Sequence, residues 1–125
     1  MVANLIVSGR IPSKKNSKKV FVVNGRLVIA PSSEHAKWER DAKKQLSLQS
    51  QAGTKLFGDV ITIKIFAPDR RASDLTNKAE SIMDLLVACG HIDDDNWFVV
   101  KRLNLIFGGV DRENPRAEIY NSNIS

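Results

Sequence analysis

The spacing of apolar positions changes several times along the chain, and each change marks an element. Residues 59–68, DVITIKIFAP, alternate strictly, with Ile61, Ile63 and Ile65 against Thr62, Lys64 and Phe66, which predicts a strand ending at Pro68. From Leu75 to Ala88 the spacing becomes helical. Leu75, Ala79, Ile82, Met83 and Leu86 share one face, and Gly90 stands just past the end. Two β-branched runs flank Asn24-Gly25 in KVFVVNGRLVIA; both turn residues accept positive φ, so a tight hairpin is expected. Residues 3–8 read as a first strand and the Pro-, Ser- and Lys-rich residues 11–19 as a loop. Pro31-Ser32-Ser33 opens a helix over 33–51, capped by Ser32 or Ser33, with a modest stripe of Ala36, Trp38, Ala42, Leu46 and Gln49. Gly53 and Gly58 bracket the loop that follows. WFVVKRLNLIFGG, from Trp97, and residues 116–121 supply the last two strands. The order is βββαβαββ, an α+β domain with a single mixed sheet and two main helices.

A length of 125 residues fits one domain over 1–125, and 42% hydrophobic content is that of a globular chain. No apolar run reaches the ~18 residues of a membrane span, and the N-terminus lacks the pattern of a signal peptide. The lone Cys89 can form neither an internal disulfide nor a cysteine-based zinc site. It reads as a small buried hydrophobe at a helix end, in keeping with a reduced, cytoplasmic setting. Nineteen Lys and Arg against fourteen Asp and Glu give a net charge of +5. The positive charge gathers at Arg10, Lys14, Lys15, Lys18 and Lys19, on the first helix, and at Arg70-Arg71; the negative charge gathers at Asp93-Asp94-Asp95. A basic surface around a compact acidic cluster suits an enzyme that grips a polyanion and holds a cation.

Two stretches carry that chemistry. In PDRRASDLTNKAE, residues 68–80, Asp74 is placed to cap the second helix by accepting from backbone N–H groups near position 77. At ~100° per residue, Asn77, Lys78, Glu80, Ser81 and Asp84 fall opposite Leu75, Ile82 and Leu86; an ordinary solvated helix would show the same face. In GHIDDDNW, residues 90–97, three successive aspartates repel one another unless a cation such as Mg²⁺ is bound. The plainer alternative is an exposed acidic turn, and the spacing is not that of an EF-hand loop. His91 reads as a turn residue and His35 as surface. Carboxylates from two separated segments, with arginines and lysines around them, are the apparatus of metal-dependent phosphodiester hydrolysis.

The run PDRR-x-x-DL-x-N, then a helix, a glycine and an Asp-Asp pair before an apolar strand, resembles the RusA family of Holliday-junction resolvases over roughly 68–100. Residues 11–19 loosely resemble that family's N-terminal loop. The resemblance implies a homodimeric endonuclease of DNA recombination and repair that cuts branched DNA with Mg²⁺, or Mn²⁺ in its place. It implies Asp74 and Asp95 as catalytic carboxylates, with Asp94 the neighbouring alternative. Two positions depart: Thr76 stands where the family has a second aspartate, and Glu80 where it has a lysine. Four residues apart, Thr76 and Glu80 share a helix face, and helical side chains lean toward the N-terminus. Glu80 is therefore expected to restore the carboxylate in a metal set of Asp74, Glu80 and Asp95, with Lys78 replacing the displaced lysine. Arg70, Arg71, Lys14, Lys15, Lys18, Lys19 and Asn77 are the expected DNA contacts. Two other readings stay open: a branched-DNA-binding protein of the same fold with impaired catalysis, and an RNA- or ribosome-associated basic domain.

Overall fold

The computed structural model describes residues 3–14, 18–50, 54–56 and 58–124. The elements run β1 (Leu5–Ser8), β2 (Lys18–Val23), β3 (Arg26–Pro31), α1 (Ser33–Gln49), β4 (Val60–Ala67), α2 (Leu75–Ala88), β5 (Arg102–Val110) and β6 (Arg116–Ser122). This is the expected α+β order. Four strands form the mixed sheet, in the order β1-β6-β4-β5. β4 lies inside it, antiparallel to β6 and parallel to β5, so α2 is the crossover between two parallel strands.

The alternation of β4 decides which face is covered. Ile61, Ile63 and Ile65 are buried, together with Leu5 and Val7 of β1 and Ala117 and Ile119 of β6. Against them pack Ala42 and Leu46 of α1 and Ala79, Ile82, Met83 and Leu86 of α2. The opposite face carries Thr62, Lys64 and Phe66, with the Arg116 guanidinium 3.9 Å from the Phe66 ring centre.

The two sheet edges are treated differently. Along β1, Gln49 accepts from the Ile6 N–H at 2.7 Å and donates to its carbonyl at 2.6 Å. Gln45 does the same for Ser8, at 2.6 and 3.2 Å. These amides imitate a neighbouring strand, so α1 closes that edge. β5, the other edge, has no such cover among the described residues.

Three expectations are corrected. The hairpin forms with Asn24 and Gly25 both at positive φ, but it stands as a ribbon of its own outside the mixed sheet. Its apolar runs do not alternate with polar residues, so nothing in them commits a face to the core. The strand expected from Trp97 starts only at Arg102, because Asn96 folds the preceding residues into a turn. Its side chain accepts from the Phe98 N–H at 3.0 Å and its carbonyl from Val99 and Val100 at 3.1 and 2.9 Å. His35, read as surface, is buried against Trp38 with ring centres 5.5 Å apart, in the first turn that Ser32 caps. His91 is in a turn, as read, but buried, with Nδ1 2.6 Å from the Thr54 carbonyl. Among the described residues no helix is long and apolar enough to cross a membrane.

Replacing the fully buried Leu86 by Ala is expected to cost about 2–5 kcal/mol in urea unfolding. Leu48→Ala, at a side chain 88% exposed, should stay within about 0.5 kcal/mol.

Candidate active-site cleft

α2 begins where Asp74 turns its carboxylate back on the first turn. Oδ1 accepts from the Thr76 N–H at 3.1 Å and from the Thr76 hydroxyl at 2.7 Å, and Oδ2 accepts from the Asn77 amide at 2.9 Å. These bonds, the Thr76 hydroxyl first and the Asn77 amide next, hold the carboxyl below its ordinary range. The capping role is as expected. Thr76 is thus one of the donors that fix Asp74.

Three positions of α2 then bind the loop that precedes β2. The Lys78 ammonium donates to the Ile11 carbonyl, the Ser81 hydroxyl to the Pro12 carbonyl at 2.8 Å, and Asp84 pairs with Lys14. Ser81, placed by helical spacing on the polar face, is only 1% exposed. Its hydroxyl is tolerated there because it has a partner. The strap carries Lys14 to α2.

Between α2 and β5 lies an open cleft of about 370 Å³. Ala79, Met83, Leu103 and Leu105 give it apolar walls, and Lys14, Thr76, Glu80, Asp84 and Asp95 are its polar lining. Glu80 and Asp95 share one cavity with Thr76, whereas Asp74, the third member of the expected metal set, is not among its lining; Glu80 and Asp95 are both exposed. Among the described residues neither is in an ion pair.

The other acids are engaged elsewhere. Asp74 does not line the cleft. Asp93 pairs with Lys55. Asp94 accepts from the Asp95 N–H and from the Asn96 amide, both at 2.8 Å; these bonds, the backbone one first, hold its carboxyl low. Among the described residues no three of His, Cys, Asp or Glu come close enough to hold a metal ion between them. The expected set of Asp74, Glu80 and Asp95 is therefore not assembled as a cage. Mg²⁺ rarely needs one. It is commonly held by one or two carboxylates with water and substrate phosphate; Glu80 and Asp95 are the two carboxylates of the cleft that are in no ion pair among the described residues.

The expected cations divide into groups. Arg70, Arg71 and Lys78 line a second recess, of about 350 Å³, at the start of α2. Arg71 is clamped to Asp69 by Nε at 3.1 Å and Nη2 at 3.0 Å, and Arg10 joins the same carboxylate at 2.6 Å. The Arg71 contacts, then Arg10, hold Asp69 far below the usual carboxylate range. Lys78 is half-buried, and burial, then the nearby Arg10 and Arg71, pulls its ammonium down. It sits in this recess and not beside Glu80, contrary to a role as stand-in for the displaced lysine. Lys18 and Lys19 begin the ribbon, Asn77 is spent on Asp74, and Lys15 lies outside the described residues. Asp69 was missed in the sequence although it sits within PDRR; an acid directly before two arginines was the available signal.

The sequence matches no family model and no curated protein.

Ser81→Ala leaves the Pro12 carbonyl without its partner and should cost about 1–3 kcal/mol by urea unfolding. Asp69, Asp74 and Asp94 all have folded-state values below the unfolded ones, so their contribution is present above about pH 4 and lost as pH falls through the folded values. Urea unfolding from pH 7 to pH 2 should therefore show Asp69→Asn less stable than wild type at neutral pH, with the gap closing toward acid.

Proposed function

We propose that the chain is a RusA-like, Mg²⁺-dependent endonuclease that cuts four-way DNA junctions by phosphodiester hydrolysis. The observation that carries this is the meeting of Glu80, from a helix, and Asp95, from a separate turn, in one open cleft beside Lys14. Glu80 and Asp95 would hold the cation, with Mn²⁺ able to replace Mg²⁺. Bound there, it supplies an acidified water and charge stabilisation for the phosphoryl transition state. The protein's own groups do the rest. Arg70 and Arg71 take backbone phosphates at the start of α2, where the helix N-terminus also favours an anion. Lys14 places positive charge at the cleft. Asp74, whose oxygens bind Thr76 and Asn77, fixes the first turn on which Glu80 stands. The free Cys89 suits a cytoplasmic setting.

Two copies acting together would give two equivalent sites about a two-fold axis. The ribbon supports such pairing. Val20, Val22, Leu27 and Ile29 share one face and are 59%, 66%, 70% and 62% exposed. An isolated two-stranded ribbon is marginal in water, and among the described residues no other element packs extensively on this one.

A binding protein without catalysis is the second reading. It is favoured by the engagement of Asp84 with Lys14 and of Asp74 with its cap. Cleavage of a labelled four-way junction separates the two. The nuclease cuts the junction with Mg²⁺, and neither the linear duplex nor the junction in chelator. Glu80→Gln and Asp95→Asn should each lose about 100-fold or more in rate while keeping junction binding; the binding protein never cuts. By sedimentation the wild type should have twice the mass of one chain, and Leu27→Glu should halve it.

A further inference from the structure

Just past Asp95 and Asn96 the chain presents two large aromatic side chains to solvent. Trp97 is 77% and Phe98 82% exposed. Their ring centres are 6.3 Å apart and their planes are inclined at 64°, an edge-to-face arrangement. In this geometry one ring's edge meets the other's face, so the pair leaves ring surface uncovered. The turn that displays them is well fixed: Asp94 binds the Asn96 amide, and Asn96 binds the N–H groups of Phe98, Val99 and Val100. Had β5 begun at Trp97, the sheet would have taken these residues into its ladder. The Asn96 turn instead holds them off the sheet and beside the residue that closes the carboxylate cleft.

We infer that Trp97 and Phe98 form a stacking platform for unpaired bases at the branch point of the DNA, and so select branched over linear substrate. This rests on the reading of the neighbouring cleft as a nuclease site. Aromatic faces bind bases by stacking, whatever the sequence, and apolar or aromatic wedges beside DNA act by occupying opened base steps. A continuous duplex has its base faces covered by their neighbours; a four-way junction has faces to offer where strands exchange. The surrounding charge suits a nucleic acid strand. Asp93 is paired with Lys55 and Lys101 with Asp59, while Arg102, exposed and in no ion pair among the described residues, follows at the start of β5. The platform would hold the branch against the cleft, so that the phosphate presented to Glu80 and Asp95 lies next to the exchange point.

Binding measured in chelator, without cleavage, tests this. A four-way junction carrying 2-aminopurine at the branch and a linear duplex of the same length are titrated with wild type, Trp97→Ala/Phe98→Ala, Trp97→Leu/Phe98→Leu and Trp97→Phe/Phe98→Trp. The expected results are quenched tryptophan emission and a 2-aminopurine response on binding of junction by wild type. The alanine variant should lose roughly tenfold to 100-fold in junction affinity, with duplex affinity changed less than about twofold. The aromatic exchange should restore junction binding and the leucine variant should not. Equal loss on both DNAs, full binding by the leucine variant, or wild-type junction binding without a 2-aminopurine response overturns the platform. So does a variant whose sedimentation mass falls while its DNA binding is unchanged, which would assign the aromatics to a protein contact. A wild type that shows the platform signature but never cuts with Mg²⁺ overturns only the nuclease reading. One that cuts junctions without the signature overturns only the platform.

Discussion

The hydroxyl of Ser81 on the carbonyl of Pro12 is the contact on which the site's construction depends. It lies on the buried side of α2, between the Lys78–Ile11 contact and the Lys14–Asp84 pair. Together these fix the N-terminal loop along a helix more than sixty residues away in sequence. The same helix is the crossover between β4 and β5, so one rigid element carries the core, the strap and Glu80. A charged pair at an exposed surface is a weak fastening. The buried hydroxyl, which would be costly to leave unpaired, is the specific one.

The cleft then follows from how much of the sheet the helices cover. α1 closes the β1 edge through Gln45 and Gln49, and α2 packs on the same core and touches β5. The space between α2 and β5 is where Leu103, Leu105, Glu80 and Asp95 meet. Most of the other aspartates are used in local geometry: Asp74 caps a helix, Asp94 builds a turn and Asp69 gathers two arginines. Within the cleft, Glu80 and Asp95 differ from Asp84 in having no ion-pair partner among the described residues.

Local patterns made much of this legible in the sequence. The alternation of residues 59–68 gave β4, Asn24-Gly25 gave the hairpin turn, and helical spacing with Asp74 before it gave α2 with both ends in place. What could not be read was anything decided by a distant partner. Ser81 looks polar on a helical wheel and is buried because Pro12 arrives to meet it. His35 is buried against Trp38 one helical turn away, a local contact that the reading of His35 as surface overlooked. Trp97 and Phe98 have strand-like side chains, but Asn96 spends its hydrogen bonds on a turn. Of the candidate site, Glu80 and Asp95 were both named from the sequence and line one cleft, whereas the placing of Lys78 in the arginine recess could not be read from the sequence.

The central claim is that Glu80 supplies the carboxylate that Thr76 lacks. Titration of Mn²⁺ followed by electron paramagnetic resonance, in the absence of DNA, tests it most directly. Glu80→Gln and Asp95→Asn should each weaken Mn²⁺ binding at least about tenfold, while Asp84→Asn and Thr76→Val should leave it close to wild type. Wild-type affinity in Glu80→Gln, or complete loss of binding in Asp74→Asn alone, would contradict it.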